Sequence, residues 1–427
     1  MNILFIGNEL SYRGTPRFLI NCARIAKQAN HNVLIWALEE GGPAENDCER
    51  IGCRVLIGVH HLKQAISFNP AIIHLHRTGG VSHRDNDILR ILKKTTGCRV
   101  LETNVFGTAD LTIHPPIDLH AHISQWDLWR WRRWFWPLHR PAIYLPYCVD
   151  TDEFKPTASS FRKDHGIPDS AFLVGRLGKT SWPDLKAALV PFLTDNPSAR
   201  FATVDDYSGT EADFNTWPAQ IRDRIIHIPR LNGSAELREF YSACDVTMNF
   251  SPIGESFGYV VAESMSCGTP VIAHSKPRND NAQIELAMQQ YGCYPVSDAA
   301  AATNVLSQLI VTPPDLASRD RCRKSIVDRF SVTTLTPTLL FVYETLGSSN
   351  LKGHRLQDFF ARHGLMTVVP QQKIVKMLNQ VIGKRMTFVD RIKIKLAYSL
   401  PNAIRLHRIC LRTFPAELPN QVKSEFT

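Results

Sequence analysis

The chain has 427 residues, 49 basic and 40 acidic, for a formal net charge of +9, with 44% hydrophobic and 21% charged residues. This is globular composition, and it excludes a disordered, collagen-like or low-complexity chain. The length suits two or three domains at about 150 residues each, and no window holds the roughly 18 apolar residues of a membrane-spanning helix.

Elements follow in chain order. Asn2–Ile6 is a short apolar run with Glu9 close behind, too short for a signal peptide, and reads as a first strand of a cytoplasmic protein. Helical spacing over Arg17–Gln28 (Phe18, Leu19, Cys22, Ile25, Ala26) is followed by strand-like His31–Ala37, Arg54–Ile57, Ala71–His74 and Arg99–Glu102. Strands alternating with helices predict βαβ units and a parallel sheet. The turn-rich stretch Pro146–Pro156 reads as a connector. The pattern then restarts, with strands at Ala171–Gly175, Arg200–Val204, Ile225–Ile228, Val246–Phe250 and Pro270–Ala273. Helices are expected at Asp184–Leu193, Ala235–Ala243 and Tyr259–Met265, and Val332–Leu346 is expected to close this second domain. The expected division is therefore 1–150, 151–346 and a helical extension over 347–427, the first two doubly wound and facing a cleft.

The charge is unevenly placed. From Leu351 to Thr427 there are 14 basic and 4 acidic residues, a net +10, so the body carries −1. Lys373–Val381 and Phe388–Leu400 read as short basic amphipathic helices. Five of eight tryptophans crowd into Trp126–Trp136, interleaved with Arg130, Arg132 and Arg133. Aromatic and basic residues together suit an anionic membrane surface. Burial of the tryptophans under a neighbouring helix is the plainer alternative, and nucleic acid is disfavoured. The ten cysteines are scattered without a C-x-x-C pair, and no histidine cluster has metal-ligand spacing, so no structural zinc site is expected.

The most informative segment runs from Gly254 to Ile272. It follows a strand. Glu255 falls in the loop at that strand's carboxyl end. Gly258 stands where a helix would begin, Gly268 suits the residue after its end, and Pro270 opens the next strand. A helix N-terminus offers free N–H groups and a positive dipole end to phosphate, and glycine permits close approach. Glu263, in the second helical turn, suits a ribose diol. Together these describe a sugar-nucleotide site.

This segment resembles the signature of the family 4-type retaining glycosyltransferases, E-x-F-G-x-x-x-x-E followed by a small-residue run ending G-x-P-V. The matching residues are Glu255, Phe257, Gly258, Glu263, Gly268, Pro270 and Val271. Ser11–Arg17 and Pro146–Pro156 resemble that family's first glycine loop and hinge, and Phe161–Pro168 with Val174–Leu177 resembles the opening of its nucleotide domain. The resemblance covers roughly residues 1 to 346.

It implies a GT-B fold of two Rossmann-like domains and sugar transfer from a nucleotide-sugar donor to a glycan or lipid-linked acceptor. It also implies retention of configuration and no metal. A role in bacterial surface polysaccharide synthesis, on the inner face of the cytoplasmic membrane, would follow by analogy. In that reading Glu255 contacts the donor sugar and Glu263 the ribose. Ser256, Phe257, Gly258 and Gly14 line the donor site, and Arg176 pairs with the departing phosphate. The family's lysine five positions after that arginine is replaced by Ser181, with Lys179 favoured over Lys186 to supply the cation. Asn104 stands where the family often has a catalytic-site histidine. His74 and His76 alternate on one side of a strand, as acceptor or donor contacts or as satisfied structural histidines. Asp150-Thr151-Asp152 has metal-motif letters but sits in the hinge, and Asp205-Asp206 ends a strand. Three alternatives stand beside transfer: a sugar-nucleotide 2-epimerase, a non-catalytic binding or scaffold protein derived from a transferase, and a basic interaction module acting through its tail.

Overall fold

The computed structural model describes residues 1–77, 83–105, 116–128, 141–205, 214–231, 233–276, 280–287, 291–365 and 376. Two compact units emerge, one holding Met1–Cys148 and, among the described residues, Leu335–Leu365, the other Val149–Thr334.

The first unit is a parallel sheet of β1 (Asn2–Gly7), β2 (Asn32–Ala37), β3 (Arg54–Ile57), β4 (Ile72–Arg77), β5 (Arg99–Asn104), β6 (Leu119–His122) and β7 (Ala142–Tyr144). The strand order is β3-β2-β1-β4-β5-β6-β7. Its central strands are apolar without alternation: Ile3, Leu4, Phe5 and Ile6 are all fully buried, as a sheet covered on both faces requires. Winding reverses between β1 and β4, the point where doubly wound sheets present their loops to ligands.

The second unit repeats the scheme with β8 (Leu173–Arg176), β9 (Arg200–Val204), β10 (Ile225–Ile228), β11 (Val246–Asn249), β13 (Val271–His274) and β15 (Cys293–Val296), in the order β10-β9-β8-β11-β13-β15. Its core gathers Val174, Leu185, Leu189, Phe192, Phe201 and Met248. The winding reverses between β8 and β11, so the loops leaving those two strands meet at the switch point. Five strands escaped the sequence reading: β6, β7, β15 and two strands of two residues each. Gly254–Glu255 (β12) pairs in parallel with Asp280–Asn281 (β14), each too short for a periodic pattern.

The expected boundaries change in one respect. The helix Val332–Ser348 does not close the second domain, because from Leu335 onward it belongs to the first unit. Its buried side carries Leu339, Val342, Tyr343 and Leu346, and the Tyr343 ring stands edge-on to Phe5 of β1 at 6.3 Å. The next helix, Gly353–Arg362, is likewise part of the first unit rather than of a separate extension. It buries Leu356 and Phe360, and Gln357 Oε1 accepts the Ala142 amide of edge strand β7 at 2.8 Å. Tyr144 N donates to Leu365 O at 3.0 Å. Covering an edge strand in this way satisfies backbone groups that would otherwise invite pairing. The basic segments Lys373–Val381 and Phe388–Leu400 lie outside the described residues, as do Trp129, Trp131, Trp134 and Trp136. Trp126 is described and only 1% exposed, so it does not offer its ring to a membrane. Among the described residues no helix is long and apolar enough to cross a membrane.

Candidate functional site

The second unit brings its candidates together at the carboxyl ends of β8, β11 and β13. Asn249, the last residue of β11, donates from Nδ2 to Glu255 Oε1 at 2.9 Å. Main-chain bonds from Asp280 N to Ile253 O (3.0 Å) and from Ala282 N to Glu255 O (2.9 Å) pin the loop that carries the acid. Glu255 is half-buried. Burial pushes its carboxyl up to about 7; the Asn249 hydrogen bond opposes this and the negative charge of Asp280 adds to it. A carboxyl poised near neutrality can both accept and donate a hydrogen bond at working pH.

Three residues on, Gly258 caps the helix Tyr259–Ser266 with φ 89°. A side chain there would be strained by that left-handed backbone, and its Cβ would stand 3.3 Å from Glu255 Cβ. The glycine thus lets the acid and the helix N-terminus sit side by side, with Ser256 half-buried between them. Phe257 is an anchor: it is buried, edge-on to Tyr259 at 5.2 Å and to Phe330 at 5.6 Å. What this turn can offer a ligand is its backbone N–H groups. The helix ends at Ser266, and Gly268 (φ 76°) follows in the left-handed conformation expected of it.

Two residues do something other than expected. Glu263 is 2% exposed, and one of its oxygens accepts the Tyr241 hydroxyl at 3.3 Å. It ties its helix to the helix Ser234–Ala243 rather than presenting an open carboxylate to a ribose. Arg176, also 2% exposed, gives Nε to Thr180 Oγ1 (2.7 Å), Nη1 to Val204 O (2.6 Å) and Nη2 to Gly178 O, with its guanidinium 4.5 Å over Trp182. All three nitrogens are engaged within the protein, so Arg176 shapes the loop after β8 instead of extending toward a phosphate.

Lys179, on that loop, is exposed, and among the described residues no ion-pair partner is found for it. Lys186 is turned away onto Thr216 O and Oγ1, both at 2.9 Å. Ser181 starts the helix Trp182–Asp195 and donates from Oγ to Asp184 Oδ2 at 2.7 Å. The same oxygen takes Lys276 Nζ, from the loop after β13, at 2.9 Å. Lys276 is a cation the sequence reading missed. Nothing in its spacing relates it to Ser181, which lies 95 positions earlier. Asp205 is exposed at the end of β9, and Asp206 lies outside the described residues.

In the first unit the picture differs. Gly14 is the half-buried first residue of the helix Gly14–Gln28, preceded by Arg13 at the cap. Asn104 is 5% exposed and faces His122 across the β5–β6 ladder. His74 and His76 do lie on one side of β4, with ring centroids 4.1 Å apart, but at 0% and 1% exposure neither reaches a ligand-accessible surface. The structure adds a buried ionic network that sequence reasoning missed. Glu102 pairs with Arg77 Nε at 3.2 Å and with His120 Nδ1 at 2.5 Å, all three 6% exposed or less. Burial alone would raise the Glu102 carboxyl, yet Arg77 and His120 outweigh it and hold it near about 2. The alternation of His120 and His122 was the available signal, the same one that drew notice to His74 and His76.

Residues 164–325 match the family described as Glycosyl transferases group 1. Over this segment the chain is similar to the group 1 glycosyltransferases. Curated relatives match over the same scale. The D-inositol 3-phosphate glycosyltransferase of Stackebrandtia nassauensis is 32% identical over 145 residues, covering 30% of this chain and 32% of that protein. The Thermobifida fusca protein of the same name is 37% identical over 140 residues, 29% and 32% of the two chains. The chain thus spans about a third of the length of the curated relatives it matches.

Solved structures extend the likeness in fold. A glycosyltransferase from Rickettsia africae superposes with TM-score 0.66 at 16% identity, over 82% of this chain and 99% of that one. Anabaena HepE in complex with UDP-glucose gives 0.62 at 16%, over 81% and 100%. A putative UDP-N-acetylglucosamine 2-epimerase from Listeria monocytogenes gives 0.52 at 10%, over 82% and 98%. The fold is GT-B, and because an epimerase shares it, fold alone does not separate the two chemistries.

Proposed function

We propose that the protein moves a sugar from a nucleotide-sugar donor to a glycan or lipid-linked acceptor, with retention of configuration and without a divalent metal. The observation that carries the proposal is the half-buried Glu255 beside a glycine-capped helix N-terminus, inside the group 1 segment. The bond between the sugar's anomeric carbon and the phosphate oxygen breaks while the acceptor hydroxyl attacks from the same face, and the acceptor's proton passes to the departing phosphate oxygen. The helix N-terminus meets the pyrophosphate and Lys179 the charge that develops on it. Glu255 orients the sugar at its reacting carbon. Arg176 and Glu263 act as positioning residues, through the loop after β8 and through Tyr241.

HepE's bound UDP-glucose makes UDP-sugars the first donors to test. Bacterial surface polysaccharide synthesis at the inner membrane face is the proposed setting. The +10 tail and the tryptophans and arginines from Trp129 to Trp136 support it as sequence features.

Calorimetry and thermal shift with UDP-, GDP-, ADP- and dTDP-sugars, beside donor-turnover assays, test the proposal. Saturable binding of one donor class, with slow sugar release to water or acceptor that Glu255→Gln abolishes, is expected. Flat titrations in a folded sample would overturn it. Binding without turnover would favour a non-catalytic relative, a reading to which the internal engagement of Arg176 and Glu263 lends weight.

A further inference from the structure

A second cluster of reactive side chains lies inside the first unit, away from any role in sugar transfer. Cys22 comes from the helix Gly14–Gln28, and His74 and His76 from β4. One ligand atom of each lies within 4.8 Å of the others. All three are sealed, at 0%, 0% and 1% exposure. Phe5 stands 5.6 Å from the His74 ring and Phe18 5.6 Å from the His76 ring, so the surroundings are largely apolar.

The two histidines are not equally satisfied. His74 meets the Tyr343 hydroxyl through Nδ1 at 2.7 Å and the Thr103 hydroxyl through Nε2 at 2.8 Å. Among the described residues, neither ring nitrogen of His76 has a hydrogen-bond partner. An interior imidazole with both nitrogens unmet is costly, and native interiors rarely keep one without an occupant that satisfies it. Burial holds both rings in the neutral form, which is the form that ligates metals.

We propose that Cys22, His74 and His76 form a buried site for a soft, thiophilic metal ion that staples the helix Gly14–Gln28 to β4. A thiolate with two imidazoles selects Cu(I) or Zn(II) over oxygen-seeking Mg(II) or Ca(II). On binding, the Cys22 S–H bond breaks, its proton leaves to solvent, and a metal–sulfur bond forms with no change of oxidation state. His76 gives up no hydrogen bond. His74 releases one hydroxyl and keeps the other, which then orients the ring as outer partners of metal-bound histidines do. Charge sharpens the choice. One thiolate neutralises Cu(I), whereas Zn(II) leaves a buried positive charge unless a second thiolate joins. Cys148 acts electrostatically on Cys22 but stands outside the three-residue cluster, which makes it the second thiolate to test.

The test uses the full chain, stripped with a chelator, loaded in parallel with Zn(II) and with Cu(I) under reductant, and desalted. Metal per chain is read by mass spectrometry and fold by circular dichroism. One ion per chain is expected, falling at least tenfold in His76→Phe, which replaces the unmet imidazole by an apolar ring. Cys22→Ser should behave alike. Cys148→Ser divides the two ions: loss of zinc alone assigns it to the second thiolate, and unchanged retention of copper assigns that ion to the three-residue site. Should Cys22→Ser fail to fold, a thiolate-to-cobalt charge-transfer band in the Co(II)-loaded natural chain replaces it. Glu255→Gln should retain metal in full, so the outcome does not depend on sugar transfer. No retained ion after either loading, equal retention by His76→Phe, or a cobalt spectrum without the thiolate band would each overturn the proposal.

Discussion

Both units wind their sheets alike, yet the polar residues at the ends of their strands are disposed in opposite ways. In the first unit Arg77 ends β4, Asn104 ends β5 and His122 ends β6, and all are 6% exposed or less. In the second unit Lys179 follows β8 in the open, Glu255 follows β11 half-buried, and Lys276 follows β13 with its side chain 45% exposed. The difference is one of what compensates a charge. A sealed guanidinium must find a carboxylate inside the protein, as Arg77 finds Glu102. A half-open carboxyl or ammonium keeps part of its hydration and can exchange the rest for a ligand at modest cost. The second unit's half-open charges can therefore meet a ligand without breaking their own network, whereas the first unit uses its charges to hold itself together.

Removing one partner from each kind of site tests this contrast most strongly. Arg77→Met leaves Glu102 buried beside the histidines His120 and His122 without its guanidinium and is expected to cost about 3–5 kcal/mol in urea unfolding, against less than about 1 kcal/mol for Lys276→Met. Equal costs would break the comparison. Next comes Glu255→Gln, which should lower donor turnover by about 100-fold or more while leaving the melting temperature at about pH 5, where the natural carboxyl is protonated, near that of the natural chain. A rate within twofold of the natural one would show that the half-open acid does no chemistry. Gly258→Ala follows, with about 1–2 kcal/mol lost to the left-handed backbone, read by thermal unfolding, and a parallel loss of donor affinity.

The pH dependence separates the units without mutation. Glu102 is held near about 2 against an ordinary 4.5, so its stabilisation is present above about 4.5 and disappears as pH falls toward 2. Glu255 runs the other way. Its native carboxyl holds a proton up to about 7, so its contribution is full below about 4.5 and is lost as pH rises through 7. Glu255→Gln should flatten the decline in melting temperature between about pH 5 and 8 and leave the acid limb unchanged. If the acid limb moves instead, the assignment of the two carboxyls is reversed. The smallest effect is reserved for Lys179→Ala, expected to raise the donor KM about fivefold with little change in stability. No change would pass the phosphate-facing role to Lys276.

Much of the site was legible because its parts lie close together in the chain. The acid, the glycine cap, the helix and its terminating glycine occupy Glu255 to Gly268, and local rules of helix starts and stops govern each one. The same nearness misled at Glu263. Its position in the second turn is fixed by helical geometry, but the direction it faces depends on Tyr241, 22 residues earlier. Arg176 was similarly recognisable as a residue and not as a contact, since Val204 O and the Trp182 ring that engage it come from other elements.

By itself the sequence determined the alternation of strands and helices, the restart near Pro146, and the turn that carries Glu255, since periodicity and glycine conformation act within a few residues. Only the tertiary structure decided which charges are sealed and which half-open. It alone returned the helix from Leu335 to the first unit, delivered Lys276 to Asp184, and drew Cys22 to His74 and His76 across some fifty residues of chain. The physical reason is common to all of these. Burial and the low-dielectric strength of an unmet polar group depend on every element packed around a side chain, and spacing along one element carries no record of its neighbours.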